Sequence, residues 1–530
     1  MPRRVLFALA VTLALGAPTP MRASVVTPLD TPALVKRSTV IVRGAVESVV
    51  SGPGEDGSLY TWVSVGVEES LRGADGRDRI TLRLPGGVWR DRVSLVHGSP
   101  AFRPGESVVL FAAPTRSGHL TVTGLFQGKL RIEGSGRQAE VVPDPGTGAR
   151  VIGGRGSNVP AAREPLSRFL SQVRALVQLG PGPAPAGDRL SAPAPPAAEV
   201  QPAFTLLNPL LPFRWFEPDA GAPVGLLFNP DGAPISLADA VAGFDAALAH
   251  WTDVDGSTLV MADGGATGQA CRVFFDGSVV SHGDPCGQIT PFEPTTCSGV
   301  LAITGISGFS LETKVVNGVS FLRMTEADIV FNADTECFFA GADGPANYEE
   351  VLSHEMGHVL GLGHSCGDSF SPVCVPGTEA DDALMRAFAH GGGRGGAPRA
   401  DDIDGARFLY PPAGFVETFL NQESFTTGET HTLLADFNGT ASADIYVLLV
   451  LPNGSFVSIA PGFPVNVLVP AATAVPLGFA VDVPLFSYLF TGAEEAGAYT
   501  WVTLLVSAGG DPSQYANWLD YDLASFDFTP

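Results

Sequence analysis

His354-Glu355-Met356-Gly357-His358-Val359-Leu360-Gly361-Leu362-Gly363-His364 is the stretch on which the reading of this chain turns. His354 and His358 stand four apart, so an α-helix places both imidazoles on one face, a turn apart, within reach of one metal ion. Glu355 lies beside them and can reach a water at that metal. Gly361 can end the helix, because glycine tolerates the left-handed backbone of a sharp exit. The chain can then return His364 as a third ligand. Three nitrogen ligands leave one position open on a tetrahedral zinc, which is the pattern of a catalytic rather than a structural site.

Around this stretch lie 530 residues with a net charge of −24 and 45% hydrophobic content, enough for several domains with buried cores. The acidity argues against nucleic acid or acidic membranes as partners. Arg3 and Arg4 precede an apolar run from Val5 to Ala17 and small residues ending near Ala23. Residues 1–23 therefore read as a secretory signal, too short to cross a membrane comfortably, and the expected product is secreted and extracellular. Six cysteines fall between Cys271 and Cys374. An even count in an exported chain suggests disulfides, and proximity suggests Cys286–Cys297 and Cys366–Cys374, leaving Cys271–Cys337.

Residues 24–160 carry β-rich runs punctuated by Gly86-Gly87, Pro104-Gly105 and Gly128, and a small β-barrel or sandwich is expected. His97 and His119 stand alone there and read as solvated or hydrogen-bonded. Within 161–202, Leu166, Phe169, Leu170, Val173, Leu176 and Val177 form one helical stripe, followed by a Pro/Ala-rich linker at 180–202 that invites proteolysis. In the unit 203–412, Ser236 and Asp239 fit a helix cap ahead of Leu237, Val241, Phe244, Leu248 and Trp251. Asn347 is the expected cap of the histidine-bearing helix. In residues 413–530, Tyr446–Val450 and Tyr499–Leu504 read as strands and helical patterns are lacking, so a β-sandwich is expected, with His431 as a surface residue.

The motif H-E-x-x-H-x-x-G-x-x-H is the metzincin signature, and residues 204–411 resemble the matrixin branch of that family. Ser365 follows the third histidine, Ala383-Leu384-Met385 resembles the Met-turn beneath the metal, and Asp401–Tyr410 resembles the closing helix. Val300–Ile303 resembles the strand edge on which extended substrates pair. The resemblance implies an α+β metzincin-like catalytic domain, with a twisted mixed sheet and an active-site helix, between β domains. It implies a secreted zinc endopeptidase in which His354, His358 and His364 hold one Zn2+. Glu355 would serve as general base and acid, and Met385 as packing under the site. Several positions depart from the pattern. Arg386 follows the methionine in place of Tyr-Pro, and Cys366 and Cys374 lie in an insertion. His282-Gly-Asp284 resembles one part of a second zinc site, whose other ligand positions are taken by Ile303 and Val330; a solvated loop histidine is expected. No cysteine precedes Cys271 to plug the metal. Asp334 and Glu336 are candidate Ca2+ ligands. The expected partner is a protein or peptide substrate, with surface binding by the flanking β domains. A reading from another class is a surface adhesion or binding protein with a structural or vestigial metal site.

Overall fold

The computed structural model describes residues 27, 29–89, 92–96, 99–143, 163–179, 204–207, 212–269, 277–368, 371–459 and 467–530. The signal segment, His97, the Pro/Ala-rich stretch 180–202 and Cys271 lie outside them.

Ten strands belong to the first part of the chain: β1 (Val40–Pro53), β2 (Leu59–Arg72), β3 (Arg79–Pro85), β4 (Gly87–Trp89), β5 (Arg92–Val96), β6 (Ser107–Pro114), β7 (Leu120–Val122), β8 (Lys129–Glu133), β9 (Glu140–Pro143) and β10 (Glu164–Pro165). Helices α1 (Thr31–Arg37) and α2 (Leu166–Leu179) flank them. One sheet runs β10-β9-β8-β6-β1-β2-β3, with β7 on β6. Side chains alternate across a strand, so neighbours on β1 and β6 face opposite ways. Val42, Val108 and Leu110 join one core with Val63 and Leu82. Ile41, Val109 and Phe111 face the other way, onto Leu34 of α1 and Phe169, Leu170 and Val173 of α2. The apolar stripe of α2 is thus spent on covering this sheet.

The middle part contains β11 (Phe213–Arg214), β12 (Val224–Phe228), α3 (Leu237–Thr252), β13 (Met261–Ala266), β14 (Val279–Ser281), β15 (Ala302–Val316), β16 (Val319–Phe331), α4 (Gly344–Leu360), α5 (Glu379–Asp382) and α6 (Ala400–Leu409). Its sheet runs β13-β12-β14-β16-β15-β5-β4, with β11 on β16. The β4–β5 hairpin leaves the first sheet and completes the second. Ser236 caps α3 by accepting from the Asp239 amide, and Trp251 fastens α3 to α4 by donating to the Ser353 carbonyl at 2.8 Å.

The last part folds as β17 (Phe415–Leu420), β18 (Ser424–Thr426), β19 (Thr430–Asn438), β20 (Ser442–Val450), β21 (Phe456–Ser458), β22 (Ala472–Pro476), β23 (Ala480–Leu489), β24 (Gly497–Ser507) and β25 (Trp518–Thr529). Sheets β17-β19-β23 and β18-β25-β24-β20-β21, with β22 on β20, share an aromatic core of Phe425, Phe490, Trp501, Phe526 and Phe528.

This architecture corrects the expected α+β class. The described residues are mostly β, at 42% strand and 18% helix, and they hold six α-helices. A metzincin-type α+β fold therefore has no support. The expectation came from the resemblance of short motifs within residues 204–411, whereas strands run through all three described parts of the chain. Residues 203–412 also do not close their own sheet, because β5 extends it.

Three local expectations are corrected as well. Asn347 does not cap α4: Asp343 stands at the cap position without a side-chain bond. Asn347 instead donates to the Phe338 carbonyl and accepts from the Gly393 amide, both at 2.9 Å. His282 is not a solvated loop residue. It is buried, its Nδ1 donates to the Asn229 carbonyl, and its Nε2 accepts from the Tyr348 hydroxyl, each at 2.8 Å. His431 is not on the surface but 1% exposed inside the last core.

Candidate metal centre

Helix α4 is buried almost all round, polar residues included; Glu350, for example, accepts from the His390 and Gly391 amides, so that buried carboxylate finds partners. It ends at Gly361, whose φ of 111° is left-handed. A Cβ there would also strike the Phe213 carbonyl, and one on Gly363 would strike Thr205. The segment after the helix is strapped down by Leu206, which bridges antiparallel to Leu362, and by Thr205, whose hydroxyl donates to the His364 carbonyl at 2.7 Å. These contacts return His364 to the other two histidines.

The three imidazoles offer ligand nitrogens that all lie within 4.8 Å of one another. Each ring is held by its far nitrogen. His354 Nδ1 donates to the Leu384 carbonyl at 2.7 Å, and His358 Nδ1 to the Leu362 carbonyl at 2.8 Å. His364 Nδ1 donates to Asp368 Oδ2 at 2.8 Å. Carbonyls only accept, so the ring proton sits on Nδ1, and Nε2 carries the lone pair. His354 Nε2 and His358 Nε2 face each other at 2.9 Å. Burial, with His364 nearby, holds His354 well below the usual imidazole range. Ring nitrogens that converge with their lone pairs free repel unless a cation lies between them, so the donor set fits a bound zinc.

Glu355 is buried beside the histidines, and Thr304 Oγ1 on β15 lies 2.5 Å from its Oε2 and 3.0 Å from its carbonyl. Met385 packs under the helix at Gly357, where any Cβ would run into its sulfur. Asp402, in the first turn of α6, accepts from the Leu384 and Met385 amides at 2.7 and 2.9 Å and from Arg399 at 2.8 Å. It thereby sets the Leu384 carbonyl that holds His354. Burial, with Asp401 beside it, raises Asp402 to about 7.

Asp368, Thr304 and Asp402 were not singled out in the sequence, although each had a signal. Asp368 is four residues past His364, Thr304 is the polar residue ending an apolar run, and Asp402 is three past Arg399 in a capping spacing. Asp368 is fixed by Ser371, whose amide and hydroxyl donate to Oδ1 at 2.8 and 2.7 Å. The Cys366–Cys374 disulfide closes that same loop.

The other two expected pairings, Cys286–Cys297 and Cys271–Cys337, are corrected: Cys297 bonds Cys337. Sequence distance misled here, because the Glu293–Ser298 turn carries Cys297 toward the loop before α4. Cys286 is also disulfide-bonded. The calcium candidates are not brought together. Asp334 pairs with Arg116 of the first part at 2.6 Å, and neither it nor Glu336 joins a metal-sized group among the described residues.

No family model matches the chain, and no curated protein matches it. A solved structure, the sporulation control protein Spo0M from Bacillus subtilis, is 15% identical over 22% of this chain, with a TM-score of 0.14. This chain covers 50% of that protein's length, and a likeness this slight carries no argument about fold or activity. The matrixin resemblance thus rests on the motif residues alone. Among the described residues no helix is long and apolar enough to cross a membrane.

Proposed function

We propose that this protein is a secreted zinc-dependent endopeptidase. The observation that carries the reading is the convergence of three imidazole nitrogens, with Glu355 next to His354 on the same buried helix. His354, His358 and His364 would hold the ion. Bound zinc supplies Lewis acidity, polarising the scissile carbonyl and making water nucleophilic near neutral pH. Glu355 accepts the proton of the attacking water and passes it to the leaving amine. Thr304 orients Glu355, Asp368 and the Leu362 and Leu384 carbonyls keep the rings in the ligand tautomer, and Met385 packs beneath. The disulfides agree with an oxidising, extracellular setting.

One observation favours the other reading, a surface-binding protein with a structural or vestigial site. Each of the three histidines and Glu355 is at most 2% exposed, as in a closed site. Casein cleavage by the purified protein decides between them. Cleavage abolished by a chelator and restored by zinc is the expected result; none with zinc bound supports the binding protein.

A further inference from the structure

The first part of the chain reaches into the site through one strand. β5 pairs antiparallel with β15 through Val96 opposite Gly305 and Leu95 opposite Ile306. Thr304, the residue that holds Glu355, is next in line on β15. The other side of β15 is already paired with β16. An extended peptide brought to Glu355 along this edge needs the same backbone donors and acceptors that β5 now uses.

The hairpin is seated rather than merely adjacent. Val96, 3% exposed, shares a buried cluster with Val300, Ile303 and Val330 of the middle part, together with Leu125 and partly buried Phe126 of the first. Phe388, three residues past Met385, packs on the same cluster. Polar contacts repeat the docking along the rim. Arg116 pairs with Asp334 at 2.6 Å, the Ser117 hydroxyl donates to the Gly287 carbonyl at 3.1 Å, and Arg37 donates to Ser298.

From this geometry we infer that the N-terminal part is an intramolecular inhibitor: the β4–β5 hairpin occupies the substrate's strand position on β15 and keeps the peptidase latent until it is displaced. The inference rests on the peptidase reading. It supplies a block that requires no cysteine on the metal.

The test uses the full zinc-loaded chain and two variants. Val96→Asp puts a carboxylate among Val300, Ile303 and Val330, where no partner awaits it. Arg116→Asp, at an exposed position, sets like charges against Asp334 without touching the core. Each is assayed for hydrolysis of a short unstructured peptide, for zinc content, and for hydrogen exchange of the β15 amides. Release of the hairpin should raise kcat/KM at least about tenfold in Val96→Asp, since only the open fraction of the enzyme is competent. Arg116→Asp should give a smaller rise, and β15 amides near Gly305 should exchange faster in step. Faster β15 exchange with kcat/KM unchanged from an active parent overturns the inhibitory role. Unchanged exchange and activity in both folded variants overturn the hairpin as the displaceable element. Faster exchange with no peptide cut by any form, zinc bound throughout, instead overturns the peptidase reading, and the inhibition falls with it.

Discussion

Glu355 and Asp368 bear on the proposed metal chemistry in different ways, one as a proton acceptor and one through His364 Nδ1, and their substitutions should separate cleanly. Glu355→Gln preserves size and a partner for Thr304 but cannot accept a proton. General acid–base catalysis contributes ~10²–10⁴-fold. Peptide hydrolysis should therefore fall by at least about 10²-fold with zinc content unchanged, measured by kcat and by metal analysis of one sample. Activity at the parent's rate would remove Glu355 from the mechanism. Asp368→Asn acts through His364 instead. The amide oxygen can still accept from Nδ1, but the charge that makes the ring a better donor is gone. Losing such a partner typically weakens metal affinity about 10–100-fold, so competition against a chromophoric chelator should register a loss of that order. An unchanged affinity would mean that Asp368 does not tune the ligand.

At the scale of elements, two effects compete at Gly357 on α4. Replacing a helical glycine by alanine stabilises an isolated helix by ~1 kcal/mol. Here the new methyl would enter the space of Met385 and lie close to Trp251. Overpacking a buried contact costs about 1–3 kcal/mol, and both neighbours are buried with little room to move. Packing should win, so Gly357→Ala is expected to lower the thermal midpoint. A raised midpoint would show that Met385 yields easily. The same contact explains why the helix tolerates a poor helix former one residue before a ligand.

Across the whole molecule, stability should respond to acid unevenly. The middle part is stapled by Cys297–Cys337 and Cys366–Cys374, whereas residues 413–530 contain no cysteine. Their core is built round His431, whose Nε2 accepts from Trp501 Nε1 at 2.8 Å. An indole N–H can only donate, so the imidazole must be neutral, and burial lowers it to about 4. The folded value lies below the ordinary 6.5. Between those two pH values the unfolded chain binds the extra proton, so this group's contribution to stability is present above 6.5 and is lost as pH falls toward 4. Asp402 and Asp404, raised by burial to about 7 and about 8, act with the opposite sign over that window. A His431→Gln control is therefore required. The parent's thermal midpoint should fall more steeply than the control's from pH 6.5 to 4, and parallel curves would dismiss His431 as the acid-sensitive group.

Much of the candidate site was legible in the chain itself. The spacing of His354, Glu355, His358, Gly361 and His364 fixes a local geometry, because a helical turn and a left-handed glycine are short-range facts that need no tertiary information. Runs rich in β-forming residues between turn residues likewise marked strands in 24–160 and 413–530, and the stripe from Leu166 to Val177 marked a helix with a face to bury. Contacts between distant residues were beyond that reach. No local pattern sends β5 to β15, brings Arg116 to Asp334, carries Cys297 past Cys286 to Cys337, or buries His431 beneath Trp501. Those depend on which apolar surfaces find one another once all are present. The α+β expectation failed for a related reason: it was carried over from a resemblance of short motifs, whereas the balance of a mostly β molecule is set by strands pairing across hundreds of residues.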